Sequence, residues 1–182
     1  MPSLIPLANV PHDLIEQVLD RAFGSDRHAR TAYRIREGME WLEALSFAAL
    51  DDDDMLVGTI QCWPVGLFEP DGTAVPMVMV GPVAVLPEHQ NQGFGQALMM
   101  AMLDAEARLA APGTTPIPQV LIGDADYYGR WGFTAEHTAG WRCPGPYEQD
   151  RLLARGITSS HMLPPKGMLG PWIERGTSDL AN

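Results

Sequence analysis

The first half of the chain alternates between helical and strand-like spacing of its apolar residues. Segment 11–23 has apolar residues at helical spacing, and Gly24 ends the pattern, which predicts a helix. The apolar runs 44–50 and 55–63 flank the four aspartates 51–54, a pattern typical of a β-hairpin with a solvated turn. Segment 75–86 is rich in Val and Met without a helical period, and predicts a strand buried on both faces.

The second half predicts one long helix and several short elements. Helix 93–110 is expected to be unusually buried, because many of its apolar residues face one side: Leu98, Met102, Ala105 and Leu109, widened by Met99, Met100 and Leu103. Strands are predicted at 119–122, from 133 onward and at 151–154, and a short helix at 127–131. Segment 27–42 is expected to hold more helix and a loop. Segment 64–73 and the tail rich in Pro and Gly are expected to be irregular. This order predicts a mixed α/β (α+β) sheet flanked by helices.

Length and charge restrict the class of protein. A chain of 182 residues suits one domain, so we expect 1–182 to be a single unit. With 12 basic and 23 acidic residues the net charge is −11, which disfavours nucleic acid and anionic membranes as partners. We see no signal peptide and no membrane span, and we take Cys62 and Cys143 as reduced thiols, so we expect a cytoplasmic protein.

Segment 90–95, Gln-Asn-Gln-Gly-Phe-Gly, has the form of a phosphate-binding turn. It joins the buried strand to the start of the long helix, where backbone N–H groups are unpaired and the helix dipole is positive. Gly93 and Gly95 leave those amides open to a phosphate, even in an acidic protein. A dinucleotide fingerprint would need glycine at Leu98, and no P-loop ending is present. The turn therefore favours a pyrophosphate held in another fold.

Two motifs resemble the signatures of the GNAT (GCN5-related N-acetyltransferase) superfamily. Segment 90–95 matches Gln/Arg-x-x-Gly-x-Gly/Ala, and segment 128–133, Tyr-Gly-Arg-Trp-Gly-Phe, resembles the second signature, in which a tyrosine precedes a Gly-Phe pair by four residues. The amino-acid sequence around both motifs looks most like that of a bacterial subgroup of predicted acetyltransferases. The resemblance covers about 45–136 well, whereas 140–182 is only weakly assigned.

The resemblance implies a fold, a cofactor and roles for particular residues. The implied fold is a seven-stranded mixed sheet whose central parallel strands splay apart around acetyl-CoA. The implied reaction is transfer of an acetyl or short acyl group to a primary amine, which attacks the thioester directly. The backbones of Val83 and Val85 would polarise the thioester carbonyl, and Tyr128 would protonate the leaving thiolate. The pyrophosphate would be surrounded by Gln90, Asn91, Gln92, Gly93, Phe94, Gly95 and Gln96.

Several alternatives stay open at this stage. A non-catalytic acyl-CoA-binding module of the same fold would not need Tyr128, whose presence favours an enzyme; transfer to a hydroxyl acceptor is a third possibility.

Tyr127 is expected to pack rather than react. The general base is open among Glu88, His89, Asp126 and His137. The acceptor is expected to be a small-molecule or peptide amine, in a pocket formed by the N-terminal helices, 64–73 and the tail. No metal is expected, because no His-x-x-x-His or Cys-x-x-Cys pair occurs. Many relatives are dimers, so a homodimer is one option.

Overall fold

The computed structural model describes residues 2–114, 116–158 and 163–173. Within them, strands and helices alternate along the chain. The strands are β1 (Ser3–Pro6), β2 (Phe47–Leu50), β3 (Leu56–Phe68), β4 (Ala74–Val85), β5 (Gln119–Ile122), β6 (Trp141–Arg142), β7 (Leu152–Arg155) and β8 (Gly167–Pro171). The helices are α1 (His12–Phe23), α2 (Thr31–Ile35), α3 (Phe94–Leu109) and α4 (Ala125–Tyr128). Among these residues, no helix is both long and apolar enough to cross a membrane.

The described strands form one mixed sheet of eight strands in the order β1-β2-β3-β4-β5-β7, with β8 beside β3 and β6 beside β8. Most neighbours are antiparallel; the pairs β4–β5 and β6–β8 are parallel. Strand β3 is long enough to pair along one edge with β2 near its start and with β8 near its end. The predicted mixed sheet flanked by helices is therefore confirmed.

The central parallel strands separate soon after they meet. Strand β4 pairs with β5 only through Val78↔Gln119 and Met79↔Val120. Directly afterwards β4 carries an extra residue relative to β3, because Val80 is opposite Cys62 but Val83 is opposite Ile60. Such a bulge bends a strand and increases its twist. The end of β4 therefore turns away from β5, which produces the expected splay.

The helices pack on both faces of the sheet. Because successive side chains of a strand point to opposite faces of the sheet, Gly58 and Ile60 of β3 lie on one face, and Gln61 and Trp63 lie on the other. On the first face, a Cβ placed on Gly58 would lie 3.2 Å from Leu98 of α3, so α3 lies against the sheet there. The second face, with Gln61 and Trp63, is covered by α1 and the segment around α2. The largest core cluster contains apolar residues from α1, α3 and the central strands.

Several predicted elements are confirmed, and others are wrong. Helices α1 and α3, the hairpin of β2 and β3, and strands β4, β5 and β7 lie where the pattern placed them. Segment 64–73 is not a loop, because β3 extends to Phe68 and only 69–73 forms the turn to β4. The tail is not wholly irregular, because β8 pairs with β3; its last residues, 174–182, lie outside the described residues.

Two smaller corrections concern single residues. Phe133 does not begin a strand; the next residue, Thr134, forms one isolated bridge to Ala154. Met100 and Leu109 of α3 are 49% and 62% exposed, so they do not belong to its buried stripe. The sheet also has eight described strands rather than the seven that the resemblance implied, and β1, β6 and β8 had no prediction in the sequence.

Adjacent methionines of α3 offer a matched test of this packing. Met99 is fully buried and Met100 is half exposed. We expect Met99→Ala to lower the free energy of unfolding by about 2–5 kcal/mol, because it leaves a cavity in the core. Met100→Ala should change it by less than about 0.5 kcal/mol. Urea denaturation of both variants measures the difference; equal losses would contradict this placement of α3.

Candidate active site

The end of β4 presents backbone N–H groups to the gap left by β5. Leu86 donates its N–H to the Val57 carbonyl at 2.9 Å, across the β3–β4 pair. Hydrogen-bonded and non-hydrogen-bonded pairs alternate along antiparallel strands. The pairs Val85↔Gly58 and Val83↔Ile60 are therefore of the second kind, and their N–H groups point away from β3. Both amides face the space where β5 would have paired with β4.

A left-handed turn connects β4 to α3. Asn91 has φ 63° and Gly93 has φ 90°, and no side chain caps the helix. The first intrahelical bond runs from the Ala97 N–H to the Gly93 carbonyl at 2.9 Å. The amides of the first helical turn precede it and have no acceptor within the helix. A Cβ on Gly93 would meet nothing within 4 Å, so the turn is open to a ligand.

Two glutamines stabilise this turn from the inside. Gln90 donates its side-chain N–H to the Val85 carbonyl at 3.3 Å, and Gln92 donates to the Glu88 carbonyl at 3.0 Å. Both bonds tie the turn back to the end of β4. Gln92 does not line the cleft beside the turn, although the resemblance placed it around the pyrophosphate.

The gap and the turn form one cleft of about 500 Å³. It brings together all the other predicted site residues: Val83, Val85, Gln90, Asn91, Gly93, Phe94, Gly95, Gln96 and Tyr128. These residues come from β4, the helix start and α4, which lie on both sides of the splay. A cleft of this size suits a small-molecule ligand.

Arg130 lines the same cleft, and the sequence reasoning missed it. Its Nε donates to the Tyr127 carbonyl at 2.9 Å, and its guanidinium lies 4.7 Å from the centre of the Tyr127 ring. These contacts hold a positive charge beside the start of α3 in a protein of net charge −11. Its place inside the second signature was the available signal, but an arginine in a short exposed helix also fits an ordinary solvated position.

The two adjacent tyrosines have different surroundings. Tyr128 packs against Phe133 with ring centres 6.2 Å apart, and burial together with the neighbouring Tyr127 raises the pKa of Tyr128 to about 12. Its hydroxyl is therefore protonated at neutral pH. The Tyr127 hydroxyl lies 3.1 Å from a Cβ placed on Gly95. Both tyrosines line the cleft, and burial raises the pKa of each, but the Tyr127 hydroxyl lies at the helix start and Tyr128 is the more deeply buried of the two.

Only one of the four candidate bases lies in the described lining of the cleft, and it is His89. Its Nε2 is 3.6 Å from Oδ2 of Asp51, and its buried Nδ1 has no hydrogen-bond partner among the described residues. Glu88 instead pairs with Arg21 at 2.7 Å. Asp126 and His137 are exposed and lie outside the lining.

The cysteines and the aspartate-rich turn carry no visible chemistry. Cys62 and Cys143 are both free and buried, and desolvation raises the pKa of each thiol, so neither is activated as a nucleophile. Asp51 accepts hydrogen bonds from the backbone N–H groups of Asp53 and Met55, which makes it part of the hairpin turn. No group of three metal-ligating side chains occurs in the part of the chain that the structure describes.

Comparison with known proteins agrees with this geometry. A family model described as "Acetyltransferase (GNAT) domain" matches residues 7–135, which include the cleft and both motifs. The chain belongs to the GNAT acetyltransferase family. The GNAT match begins well before the segment 45–136 that carried the resemblance in the sequence, because it includes α1 and α2. No curated protein sequence matches the chain.

Solved GNAT structures share the fold. The GNAT family N-acetyltransferase YhbS from Escherichia coli, in complex with CoA, superposes with TM-score 0.67 at 24% identity, covering 94% of this chain and 89% of that one. A GNAT family acetyltransferase from Brucella melitensis, in complex with acetyl-CoA, has TM-score 0.52 at 26% identity. The match covers 85% of this chain and 96% of that one. The E. coli ribosomal-protein-S18-alanine N-acetyltransferase has TM-score 0.50 at 19% identity, and the match covers 85% of this chain and 90% of that one.

Proposed function

We propose that this chain is an enzyme that transfers an acetyl or short acyl group from acetyl-CoA to a primary amine. The observation that carries the proposal is the convergence of three features on one cleft. These are the outward amides of Val83 and Val85, the open amides at the start of α3, and the protonated Tyr128. The CoA and acetyl-CoA complexes of similar GNAT structures support this donor.

The residues of the cleft fit an acyl-CoA. Gly93 leaves open space over the helix start, where backbone amides and the helix dipole favour a pyrophosphate. Arg130 adds a side-chain cation at the same cleft. Because these charges are local, they act on a phosphate at close range despite the acidic surface.

The reaction asks little of the protein beyond positioning and one proton. A bound acyl-CoA supplies the thioester that the amine attacks. The amides of Val83 and Val85 are rigid donors, because the β3 pairing holds their backbone. Tyr128 keeps its proton until a thiolate needs it, because burial raises its pKa to about 12. His89 is the basic side chain that lines this cleft, so we place the removal of the amine proton on it.

Gly93 tests the pyrophosphate site against a matched glycine. Gly93 and Gly113 both have positive φ, and a Cβ on either meets nothing within 4 Å. Replacing either by leucine should cost about 1–2 kcal/mol of stability through the left-handed backbone. Acetyl-CoA should raise the melting temperature of the wild type and of Gly113→Leu, but not of Gly93→Leu. No shift in the wild type at millimolar acetyl-CoA would refute the cofactor.

Arg130 tests the electrostatic part of the same site. We expect Arg130→Gln to weaken acetyl-CoA binding by about tenfold, because a charge-assisted contact to an anion is lost. The wild-type affinity should fall more steeply with salt than that of the variant. Arg108→Gln is the control, since Arg108 is exposed on α3 outside the cleft lining. Calorimetry at two salt concentrations measures both effects, and equal behaviour of the two variants would rule Arg130 out.

Tyr128 tests the chemistry, with its neighbour as the control. Tyr128→Phe should lower turnover about 100-fold or more and leave acetyl-CoA binding intact, whereas Tyr127→Phe should stay near the wild type. The raised pKa of about 12 keeps the Tyr128 hydroxyl protonated up to about pH 10. We therefore expect no fall in the wild-type rate between about pH 8 and pH 10 from deprotonation of Tyr128. Thiol release with an amine panel measures the rates. Unchanged turnover in Tyr128→Phe would remove this residue from the mechanism.

A further inference from the structure

A second cleft lies on the face of the sheet covered by α1 and α2. Its volume is about 330 Å³, at the lower end of the range for small-molecule sites. Side chains from α1, from the segment after α2 and from β3 surround it. The sequence expectation of an acceptor pocket at the N-terminal helices agrees with this cleft, but neither 64–73 nor the described part of the tail lines it.

Arg36 in this cleft is a buried cation without a carboxylate partner. It is 5% exposed, and one guanidinium N–H donates to the Gly81 carbonyl at 2.9 Å. Its guanidinium lies 4.2 Å from the Tyr33 ring centre and 4.3 Å from that of Trp63. No carboxylate of the described residues forms an ion pair with it. Desolvation lowers its pKa to about 10, so the group stays charged at neutral pH.

The neighbouring Arg27 is also buried, but its charge is balanced by carboxylates, in contrast to that of Arg36. Arg27 is 2% exposed and forms ion pairs with both Glu16 and Asp20. Burial alone would lower its pKa, but hydrogen bonds to Tyr33, Asp20 and Glu16 raise it above the ordinary value. A buried charge without such a partner is costly. Of these two buried arginines, Arg36 is therefore the one without an ion pair; Glu16, which lines the same cleft, attracts it only at longer range.

Gln61 adds an unpaired amide to the same cleft. Its side chain is 2% exposed and forms no hydrogen bond with any described residue. The preceding residue on this face of β3, Thr59, also has an unpaired hydroxyl, but Thr59 does not line the cleft. The amide atoms of Gln61 are not among the fully buried unpaired atoms, so they open to the cleft, where a ligand or water can satisfy them. Gln61 and Arg36 together offer N–H donors for a carboxylate.

The walls of the cleft are aromatic. Trp41 and Trp63 meet edge to face with ring centres 6.4 Å apart, and His12 stacks on Trp41 at 6.2 Å. Such walls favour a planar apolar group. The net charge of −11 disfavours a ligand that is only an anion, whereas a zwitterion carries no net charge.

The second cleft lies beside the first. Helix α1 lines the second cleft through Leu19 and the first through Ala22, which is about 4.5 Å further along the helix axis. On β4, the Gly81 carbonyl contacts Arg36, and Val83 lines the first cleft about 7 Å further along the strand. An amine whose body occupies the second cleft is therefore placed next to the splay.

Resting on the transferase function proposed above, we infer that the second cleft binds the acceptor and that the acceptor is an aromatic amino acid. Its carboxylate lies against Arg36 and Gln61, its ring packs against the wall that Trp41 and Trp63 form, and its amine points to the first cleft. The ammonium group of the zwitterion first gives a proton to His89, and the free nitrogen then attacks the thioester carbonyl carbon. The C–S bond breaks, the leaving thiolate takes the proton of Tyr128, and the second proton lost from the nitrogen returns to the Tyr128 oxygen.

Three probes separate the groups that the cleft recognises. L-Phenylalanine carries amine and carboxylate, 3-phenylpropanoate only the carboxylate, and phenethylamine only the amine. In calorimetry without CoA, we expect phenylalanine to bind most tightly, 3-phenylpropanoate to bind more weakly because it is only an anion, and phenethylamine to bind at least about tenfold more weakly than phenylalanine. Equal or tighter binding of phenethylamine would overturn the carboxylate assignment.

Gln61→Leu is the decisive variant, because the wild-type amide has no protein partner to lose. It should leave the melting temperature of the free protein unchanged or higher, yet weaken phenylalanine binding about tenfold. Thr59→Val is the matched control: it removes an unpaired buried group on the same strand face and should leave phenylalanine affinity unchanged. Arg36→Gln should weaken binding further, with Arg34→Gln, exposed on α2, as its control. If Gln61→Leu binds phenylalanine like the wild type, the assignment is wrong.

Turnover measurements distinguish the amino-acid acceptor inferred here from the transferase function on which that inference rests. With acetyl-CoA present, phenylalanine should release thiol faster than phenethylamine at equal concentration. If phenethylamine or other amines without carboxylates react better, the transferase function stands and the amino-acid assignment fails. If no amine reacts although phenylalanine binds as expected, the cleft assignment stands as a binding site, and its role as acceptor site fails together with the transferase function.

Discussion

The separation of β4 from β5 after Met79 is the constraint on which the rest of the site depends. Two parallel strands that stayed paired would use the outward amides of Val83 and Val85 in the sheet. Because β4 carries one extra residue between Val80 and Val83, these amides are left facing a gap. The same divergence opens space between the start of α3 and α4, so one distortion creates both the outward-facing amides and the cleft that Tyr128 lines.

The bulge also links the two faces of the molecule. The Gly81 carbonyl accepts hydrogen bonds from Arg36 and from the indole N–H of Trp63, both at 2.9 Å. These side chains line the second cleft, while Val83, two residues on, lines the first. An acceptor that contacts Arg36 would therefore touch a group bonded to the strand that positions the amides. The second cleft and the end of β4 that lines the first cleft are thus joined by hydrogen bonds.

Charge in this protein is arranged locally rather than globally. A net charge of −11 disfavours an anionic ligand at long range, yet both clefts offer positive groups at short range. At the first cleft these are backbone amides, a helix start and Arg130; at the second they are Arg36 and the N–H groups of Gln61. Screening by salt limits the unfavourable long-range field to roughly 10 Å, while contacts inside a cleft are screened much less.

The sequence by itself determined the features that contiguous residues build. The turn at 90–95 and the long helix were readable because backbone conformation, apolar period and glycine placement act over a few neighbouring residues, whereas Tyr128 was singled out only by the resemblance of its motif to a family signature. Only the tertiary structure decided which distant residues meet. Neither the pairing of β8 with β3, nor the exposure of Met100, nor the cleft shared by Arg36, Gln61 and Trp63 has a local signal. Strand partners and burial depend on hydrogen bonds and packing between segments far apart in the chain, and a one-dimensional pattern does not contain those distances.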